Sequence, residues 1–460
     1  MKFLERYLNF QNLFVLIGLI MGVKFIYVNP PWQSNDEDRH FYNAYAISEG
    51  IIGPQYVNGK VGQKLPIDLT NTVRSYQGIP FSKEAKVDKR SVEKDRKKKI
   101  RSFKKAHFPN PSSGISPVGY IPASIGIFVA KTLNKGAIDI GYWARLFSLF
   151  SYLLIVYFAF RLLPISFQPV LFVVSLCPMV LYQAASVTYD TLTYSFLFLF
   201  LAFVIHHYFS DKKLSWKHIG ILVAIAFLQG FVKGGYFILF FTVLVIPMRR
   251  FNTKGIYFAL IAGLIIASFI PPIIWKSYKS TLNIPPEAFN FFQKDFRFDN
   301  GANLKFQLGD PVNMALVVIK NIFTQGKVWV SGVVGRFGYS YTLLPSWAVI
   351  CWYFLFLTTA CLIRKKVNWT FIIVFSALSL LNIAAIIGGF YLGSPVGADF
   401  IYGLQGRYFS PILPFAIFGL FNAYFIRVNP KMLRIGLSII VIVLLGLSVN
   451  YLDGVFYLAN

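Results

Sequence analysis

Three consecutive acids follow the first long apolar stretch of the chain, and they are its clearest candidates for chemistry. Residues 10–29 are apolar enough to cross a bilayer, and Asp36, Glu37 and Asp38 come shortly after them. A carboxylate at a membrane surface can act as a general base toward an acceptor hydroxyl, or as a metal ligand. We predict Asp36 as the catalytic residue, Glu37 as its helper and Asp38 as a solvated neighbour. The alternative for Asp36 is to cap the helix that follows.

Three basic residues in apolar surroundings are candidates for binding a phosphate group. Lys233 lies in FVKGGYF, where two glycines let the backbone approach a ligand closely. Arg407 lies in GLQGRYFSPILP, directly before an apolar stretch, and arginine binds phosphate through two parallel hydrogen bonds. Arg336, in VVGRFGYSYTLLP, supports the same interpretation with weaker context. The alternative for these cations is anchoring at the membrane interface.

Five further polar residues complete the predicted site as substrate-binding groups. They are His40 and Tyr42 after the acids, Asp190 at the start of a span, and Gln405 and Tyr408 beside Arg407. The structural alternatives are a hydrogen-bonded histidine and a helix cap at Asp190. No HxxxH or HExxH spacing occurs, and the three cysteines all fall in apolar segments. The sequence therefore indicates no metal site and no firm cofactor, and a divalent cation is left open.

The composition is that of a membrane protein with many spans. The chain has 460 residues, of which 56% are hydrophobic and 14% are charged. The net charge of +26 could suggest nucleic-acid binding. Much of the excess lies in residues 83–105, however, and the rest mostly flanks apolar segments, where basic residues orient helices in a bilayer. We therefore exclude a nucleic-acid partner.

Hydropathy predicts an all-α polytopic fold with about eleven transmembrane helices, within a range of ten to thirteen, in one domain of residues 1–460. Segment 116–133 is not counted, because Pro117, Gly119 and Pro122 suit a broken helix on the outer leaflet. The alternative is a further span that inverts all later loops. The predicted spans are 10–29, 141–163, 166–184, 190–209, 217–232, 235–248, 255–276, 345–363, 370–392, 409–426 and 432–452.

Basic residues in the short loops predict the orientation. Under this count, the basic clusters at 212–217, 249–250, 364–366 and 427–434 lie on the same side as the N-terminus. The positive-inside rule makes that side cytoplasmic. We therefore predict a multi-pass protein of the cell membrane whose site faces the extracytoplasmic side.

Two long segments are predicted on that outer side. The first, 30–140, contains juxtamembrane helices and a polar insertion at 54–115. We interpret the insertion, with its basic stretch 83–105, as a solvated and partly mobile loop; the alternative is a patch for anionic lipid headgroups or phosphorylated glycans. The second, 277–344, is predicted to form helices that lie on the membrane surface over a cavity.

Six segments are spread over most of the chain: DEDRHFYNAYAISEG, SPVGYIPASIGIFVAKTL, SVTYD, VKGGY, GRFGYSYTLLP and GLQGRYFSPILP. Together they resemble the GT-C superfamily of integral membrane glycosyltransferases. More closely, the chain resembles a bacterial family of polytopic proteins of unknown function with that fold. The resemblance implies a polyprenyl-phosphate or polyprenyl-diphosphate sugar donor at the extracytoplasmic face. It also implies an acid of the first outer loop as base, where Asp36 and Glu37 stand, and a juxtamembrane role for 116–133.

The sequence thus predicts an inverting glycosyltransferase of cell-envelope polysaccharide biosynthesis. Its partners would be membrane lipid, a polyprenyl-linked sugar donor and a glycan or lipid-linked acceptor. The alternatives are a transporter or flippase for lipid-linked glycans, and a binding subunit without catalysis. Transporters often contain internal repeats and polar residues at the membrane midplane. Here no repeat is visible and the polar residues crowd one face, which favours the enzyme.

Overall fold

The computed structural model describes residues 9–79, 84–100, 104–289, 298–338, 342–362, 365–420 and 428–458. Helices predominate in this part of the chain. In chain order they are α1 Phe10–Val28, α2 Glu37–Ser48, α3 Ile67–Ser75, α4 Lys89–Arg96, α5 Ile121–Thr132, α6 Ala137–Leu162, α7 Gln168–Ser175, α8 Pro178–Ala184, α9 Asp190–Phe209, α10 Trp216–Val232, α11 Lys254–Ser280, α12 Asn300–Gly309, α13 Pro311–Gly335, α14 Ser346–Cys361, α15 Trp369–Leu392, α16 Leu413–Leu420 and α17 Pro430–Phe456.

Six of the described helices are long and apolar enough to cross a membrane, namely α1, α6, α9, α11, α15 and α17. Helices α7 and α8 meet at an angle of 72° and make a seventh if they are treated as one broken span. The protein is therefore mostly helical and has several candidate spans. The prediction of about eleven spans is not supported.

The missing spans are short or bent. The predicted span 166–184 breaks before Pro178, because proline lacks the N–H that would continue the helix. Helices α10 and α14 have 17 and 16 residues, fewer than the roughly 20 that a crossing needs. The predicted span 235–248 is largely a 3₁₀ helix, Gly234–Val245. The predicted span 409–426 ends outside the described residues. Hydropathy counts apolar residues and cannot detect such breaks.

Segment 116–133 does not form a crossing helix. It begins with the 3₁₀ turn Pro117–Tyr120 and continues as α5, whose twelve residues extend about 18 Å. The hydrocarbon core of a bilayer is about 30 Å thick, so α5 is too short to span it. Ile121, Ile125 and Phe128 form an exposed apolar face, while the opposite side packs on α6.

The described part of the polar insertion contains regular secondary structure, where the sequence predicted a solvated loop. It contains an antiparallel sheet in the order β1–β2–β3, formed by Gln55–Val57, Lys60–Pro66 and Lys105–Pro109. The first two strands are joined by Asn58 and Gly59, which both have positive φ. Asn-Gly is the preferred pair for such a hairpin turn. The basic stretch contains α4 and pairs through Val87 with Tyr457, beyond the end of α17.

In its described residues, the second long segment contains the end of α11, a 3₁₀ turn, α12, α13 and two short antiparallel strands, β4 Arg336–Phe337 and β5 Thr342–Leu343. Helix α13 exposes an apolar face that includes Leu316 and Phe323. Its other side packs so closely on the 3₁₀ turn Gly406–Tyr408 that a Cβ on Gly406 would overlap the Trp329 carbonyl oxygen. This helix therefore fixes the loop that carries Arg407.

A buried ion pair fastens the first loop to the helical core. Arg145 of α6 donates from Nε and Nη2 to the two carboxylate oxygens of Glu37, at 2.7 and 2.6 Å. The remaining guanidinium N–H groups donate, at 2.7–2.8 Å, to backbone carbonyls at the end of α1 and just beyond it, those of Ile26, Asn29 and Pro30. A cation at a helix C-terminus interacts favourably with the helix dipole. The Arg145 side chain thereby joins α1, α2 and α6.

Replacing Arg145 by Met should destabilise the fold strongly, because Glu37 would keep a buried charge without a cation. Loss of one partner of a buried ion pair costs about 3–5 kcal/mol of unfolding free energy. The measurement is the Tm of the purified protein in detergent. The matched control is Arg161→Met, since Arg161 is exposed on the same helix. Equal Tm values for the two variants would contradict the proposed importance of the pair.

Candidate functional site

Asp36 stands directly before α2 with φ 54° and ψ 21°, a left-handed conformation that residues with a Cβ adopt uncommonly. Its side chain makes no capping hydrogen bond, so the structure does not give it the capping role considered above. The carboxylate is 37% exposed and lies 3.5 Å from Arg39 Nη1. Uncommon backbone conformations cluster at functional sites. Asp36 is thus accessible and held in a specific orientation.

Glu37 is fully buried, and both of its carboxylate oxygens are occupied. Besides the two bonds from Arg145, they accept backbone N–H groups from Ser34 at 3.2 Å and Val187 at 3.0 Å. A carboxylate with this many donors is an anchor and has no free lone pair aimed at a substrate. The structure therefore places Glu37 as a support for Asp36 and does not place it as a second catalytic group.

Asp38 is buried, which corrects the prediction of a solvated neighbour. Gln77 Nε2 donates to its carboxylate at 2.9 Å, and burial raises the pKa of Asp38. Tyr42, predicted to bind substrate, is buried in the same region, where its ring packs against Phe108 of the sheet. These two side chains belong to the interface between α2 and the insertion.

Asp190 joins the two main cations predicted to bind phosphate. Lys233 Nζ lies 2.8 Å from Asp190 Oδ1, and Arg407 Nη1 lies 3.5 Å from Asp190 Oδ2. Asp190 begins α9, Lys233 follows the end of α10, and Arg407 lies in the 3₁₀ turn 406–408. Three segments that are distant in sequence therefore converge. The sequence predicted that they share a side of the protein but did not predict their ion pairs.

Three tyrosine rings surround the Lys233 ammonium. The ring centroids of Tyr408, Tyr189 and Tyr236 lie 4.2, 5.0 and 5.8 Å from Nζ. An ammonium near aromatic faces is attracted by their negative charge density. Rings and carboxylate together hold the cation in one place. Sequence reasoning missed Tyr189 and Tyr236, although both lie within four residues of a charge that it had singled out.

Arg407 is only 5% exposed, yet its hydrogen bonding is incomplete. Its Nη1 lies 3.3 Å from Gln183 Oε1 and its Nη2 lies 3.5 Å from the Tyr408 hydroxyl. Within the described residues, its Nε has no hydrogen-bond partner. Buried donors are usually satisfied. This guanidinium thus retains a donor for a further acceptor.

His40 is buried beside Tyr120 and Tyr189. Its Nδ1 is 2.8 Å from the Tyr120 hydroxyl, and its ring meets that of Tyr189 edge-on at 5.1 Å. Burial lowers the pKa of His40 to about 4; the charge of Asp36 opposes this shift and that of Arg407 adds to it. The imidazole is therefore neutral at pH 7 and acts through hydrogen bonds. The charges of Asp36 and Arg407 both act on His40, so both lie near enough to interact with it electrostatically.

The loop of Arg407 also contacts the first loop directly. Asn35 Nδ2 donates to Gln405 Oε1 at 3.1 Å. The Tyr236 hydroxyl donates to the Tyr408 carbonyl at 2.9 Å. Asn35 precedes Asp36, so these bonds set the distance between the acid and the cations. Gln405 and Tyr408 therefore lie at the predicted site, and both have positioning contacts.

Arg336 lies in β4, where its backbone pairs with Leu343. It is half-buried, and burial lowers the pKa of its guanidinium. Within the described residues, the ion-pair partners of Asp190 are Lys233 and Arg407. The structure does not bring Arg336 into that network.

A cavity of about 800 Å³ opens beside Lys233. Its walls are mostly apolar and aromatic and come from the 3₁₀ helix after Lys233, from α15 and from the 402–408 loop. The rings of Phe390 and Tyr408 stack there with centroids 4.9 Å apart. A cavity with one cationic end and apolar walls suits a ligand that has an anionic head and an apolar tail.

A metal site is not assembled in the part of the chain that the structure describes. No group of three or more His, Cys, Asp or Glu side chains there is arranged to hold an ion. Asp36 and Asp190 are instead paired with basic side chains.

Comparison with known families gives a match to a family model described as "Predicted membrane protein (DUF2142)", over residues 19–416. The matched region contains the acids of the first loop, Asp190, Lys233 and Arg407. Comparisons with curated proteins and with solved structures gave no match. The resemblance to GT-C enzymes stays a prediction.

The burial of His40 predicts a specific loss of stability in acid. In the unfolded chain His40 titrates near 6.5 and in the folded protein near 4, so the unfolded state binds an extra proton between these values. The stabilisation is complete above pH 6.5 and is lost as the pH falls toward 4. At pH 5 the loss is about 2 kcal/mol.

The measurement compares Tm at pH 7 and pH 5 for the unmodified protein and His40→Gln, which keeps a hydrogen-bonding group but does not titrate. The variant should lose less stability over this interval. Equal losses would show that His40 does not resist protonation in the folded protein.

Proposed function

The chain belongs to the DUF2142 family of predicted membrane proteins, and we propose that it transfers a sugar from a polyprenyl-linked donor to an acceptor hydroxyl. The donor would be a polyprenyl phosphate or diphosphate, and the acceptor a cell-envelope glycan or a lipid-linked sugar. A GT-C-like fold, a cytoplasmic N-terminus and an extracytoplasmic site in the cell membrane are part of this proposal. Its main support is the cluster of charges that contains Asp36, Lys233 and Arg407, together with the apolar cavity that Lys233 lines.

The charges of the cluster suit a lipid phosphate. Lys233 and Arg407 contribute +2 and Asp190 contributes −1, which leaves a charge of +1. Asp190 holds the two cations together without neutralising both. The apolar cavity offers space to the first isoprene units of the tail, and each buried CH₂ group adds about 0.8 kcal/mol. The phosphate would contact Lys233 and the unpartnered Nε of Arg407.

The proposed reaction is one displacement at the anomeric carbon. The acceptor oxygen forms a bond to that carbon while the bond from the carbon to the phosphate oxygen breaks. The hydroxyl proton passes to the Asp36 carboxylate, and the bond electrons leave with the polyprenyl phosphate. Lys233 and Arg407 stabilise the negative charge that develops on the leaving group. A single displacement inverts the configuration.

Replacing Asp36 by Asn should lower sugar transfer at least about 100-fold, because general bases contribute roughly 10²–10⁴ to a rate. The assay follows transfer by purified protein in detergent, from a panel of synthetic polyprenyl-phosphate sugars to a cell-envelope glycan preparation. Asp211→Asn is the matched control, since Asp211 is 98% exposed on a loop after α9. A fully active Asp36→Asn variant would remove Asp36 from the mechanism.

Replacing Lys233 by Met should weaken binding of unsubstituted polyprenyl phosphate by about tenfold, because one charge-assisted contact to phosphate is lost. Fluorescence titration of the purified protein provides the measurement. The control is Lys320→Met, because Lys320 forms an exposed ion pair with Asp399. Equal affinities of both variants would place the phosphate elsewhere.

The same purified protein can be used to distinguish a transferase from a binding subunit or a flippase. Turnover in detergent, where no second compartment exists, supports a transferase. Binding of polyprenyl phosphate without turnover of any donor in the panel would favour a binding subunit. Movement of a lipid-linked sugar across a proteoliposome membrane without transfer would favour a flippase.

A further inference from the structure

We propose that the basic insertion and the neighbouring helix ends form a binding site for an anionic phospholipid. Two adjoining cavities of about 480 and 380 Å³ lie between α4, α1, α6 and α17. Glu93 and Arg96 line both of them. We call the two cavities together the basic groove. None of its lining residues belongs to the cluster around Asp190.

Ion pairs and close packing hold the insertion against the helical core, so the groove has a defined shape. Lys89 Nζ lies 2.7 Å from Asp453 Oδ1 of α17. Arg96 Nε donates to Asp139 Oδ1 of α6 at 2.8 Å. The carbonyl group of Lys98 packs so closely on the residue before α6, a glycine, that a Cβ there would overlap it. The walls of the groove are therefore fixed relative to one another.

The groove has an excess of positive charge. Its lining contains six cations and three acids, a net charge of +3. Glu93, Asp139 and Asp453 are paired with Arg96 and Lys89. Four cations, in contrast, have no ion-pair partner in the described part of the chain: Lys24, Lys97, Lys99 and Lys135. An anionic ligand would compensate this charge.

The apolar surface beside the groove indicates that the anion carries a tail. Leu16, Ile20 and Tyr27 are exposed on the same face of α1 as Lys24, at helical spacing. Helices α1 and α17, which border the groove, are both candidate membrane spans. A phospholipid could place its phosphate among the lysines and its acyl chains along this stripe. A soluble phosphate would leave the stripe uncovered, so we commit to the lipid.

The test measures the Tm of the purified full-length protein in a nonionic detergent. The added probes are phosphatidylglycerol, phosphatidylcholine and inorganic phosphate at matched concentrations. We expect phosphatidylglycerol alone to raise Tm in a saturable way. The double variant Lys24→Gln/Lys97→Gln should need about tenfold more of that lipid, because each lysine near an anionic headgroup strengthens binding.

The matched control is Lys60→Gln/Lys64→Gln, which removes the same charge from exposed positions on β2 of the same insertion. It should respond like the unmodified protein. Lys99→Gln/Lys135→Gln is a second groove variant, should the first be poorly stable. An equal response to phosphatidylcholine, or an unchanged response of the groove variants, would overturn the proposal. An equal response to inorganic phosphate would show that the groove binds phosphate without a lipid tail, and it would likewise overturn the lipid proposal.

Discussion

The buried ion pair between Glu37 and Arg145 is the interaction on which the site depends. Removing two charges from water is costly, and here the guanidinium and carboxylate hydrogen-bond each other and nearby backbone groups. The pair holds Glu37 in place, and with it the start of the helix that Asp36 precedes. Through the Val187 amide it also fixes the turn that leads into Asp190. One interaction thus positions carboxylates from two distant parts of the chain.

The need to compensate charges that are removed from water also explains the cluster around Asp190. Arg407 is buried and Lys233 is partly buried, and without a carboxylate between them the two cations would repel each other. Asp190 removes this repulsion but leaves one positive charge in excess. The tyrosine rings around Lys233 add attraction without adding negative charge. The protein can therefore keep the cations in place when the site is empty and still attract an anion.

The sequence identified individual charges better than their partners. Lys233 and Arg407 stand out because charge is rare in apolar surroundings, and Asp36 stands out because it follows the first apolar stretch. The structure places the three charges near enough to interact. The Asp190 pairs and the Arg145 anchor depend on contacts between distant segments, which spacing does not reveal. The Asn58–Gly59 hairpin could have been predicted from the sequence, because Asn-Gly between short alternating stretches is a strong turn signal. The excess of predicted spans has a local cause: hydropathy does not register the bend before Pro178 or the 3₁₀ geometry of Gly234–Val245.

Helix α6 connects the two proposed sites. Asp139, in its first turn, pairs with Arg96 of the basic groove, and Arg145, less than two turns later, holds Glu37. Because α6 is one continuous helix, these two residues are about 9 Å apart along a rigid axis. A lipid that fixes the insertion onto the start of α6 would also fix the segment that carries Arg145. The basic insertion, which the proposed chemistry does not need, thereby gains a physical reason: it fastens the end of α1, the start of α6 and the end of α17 around the anchor of Asp36.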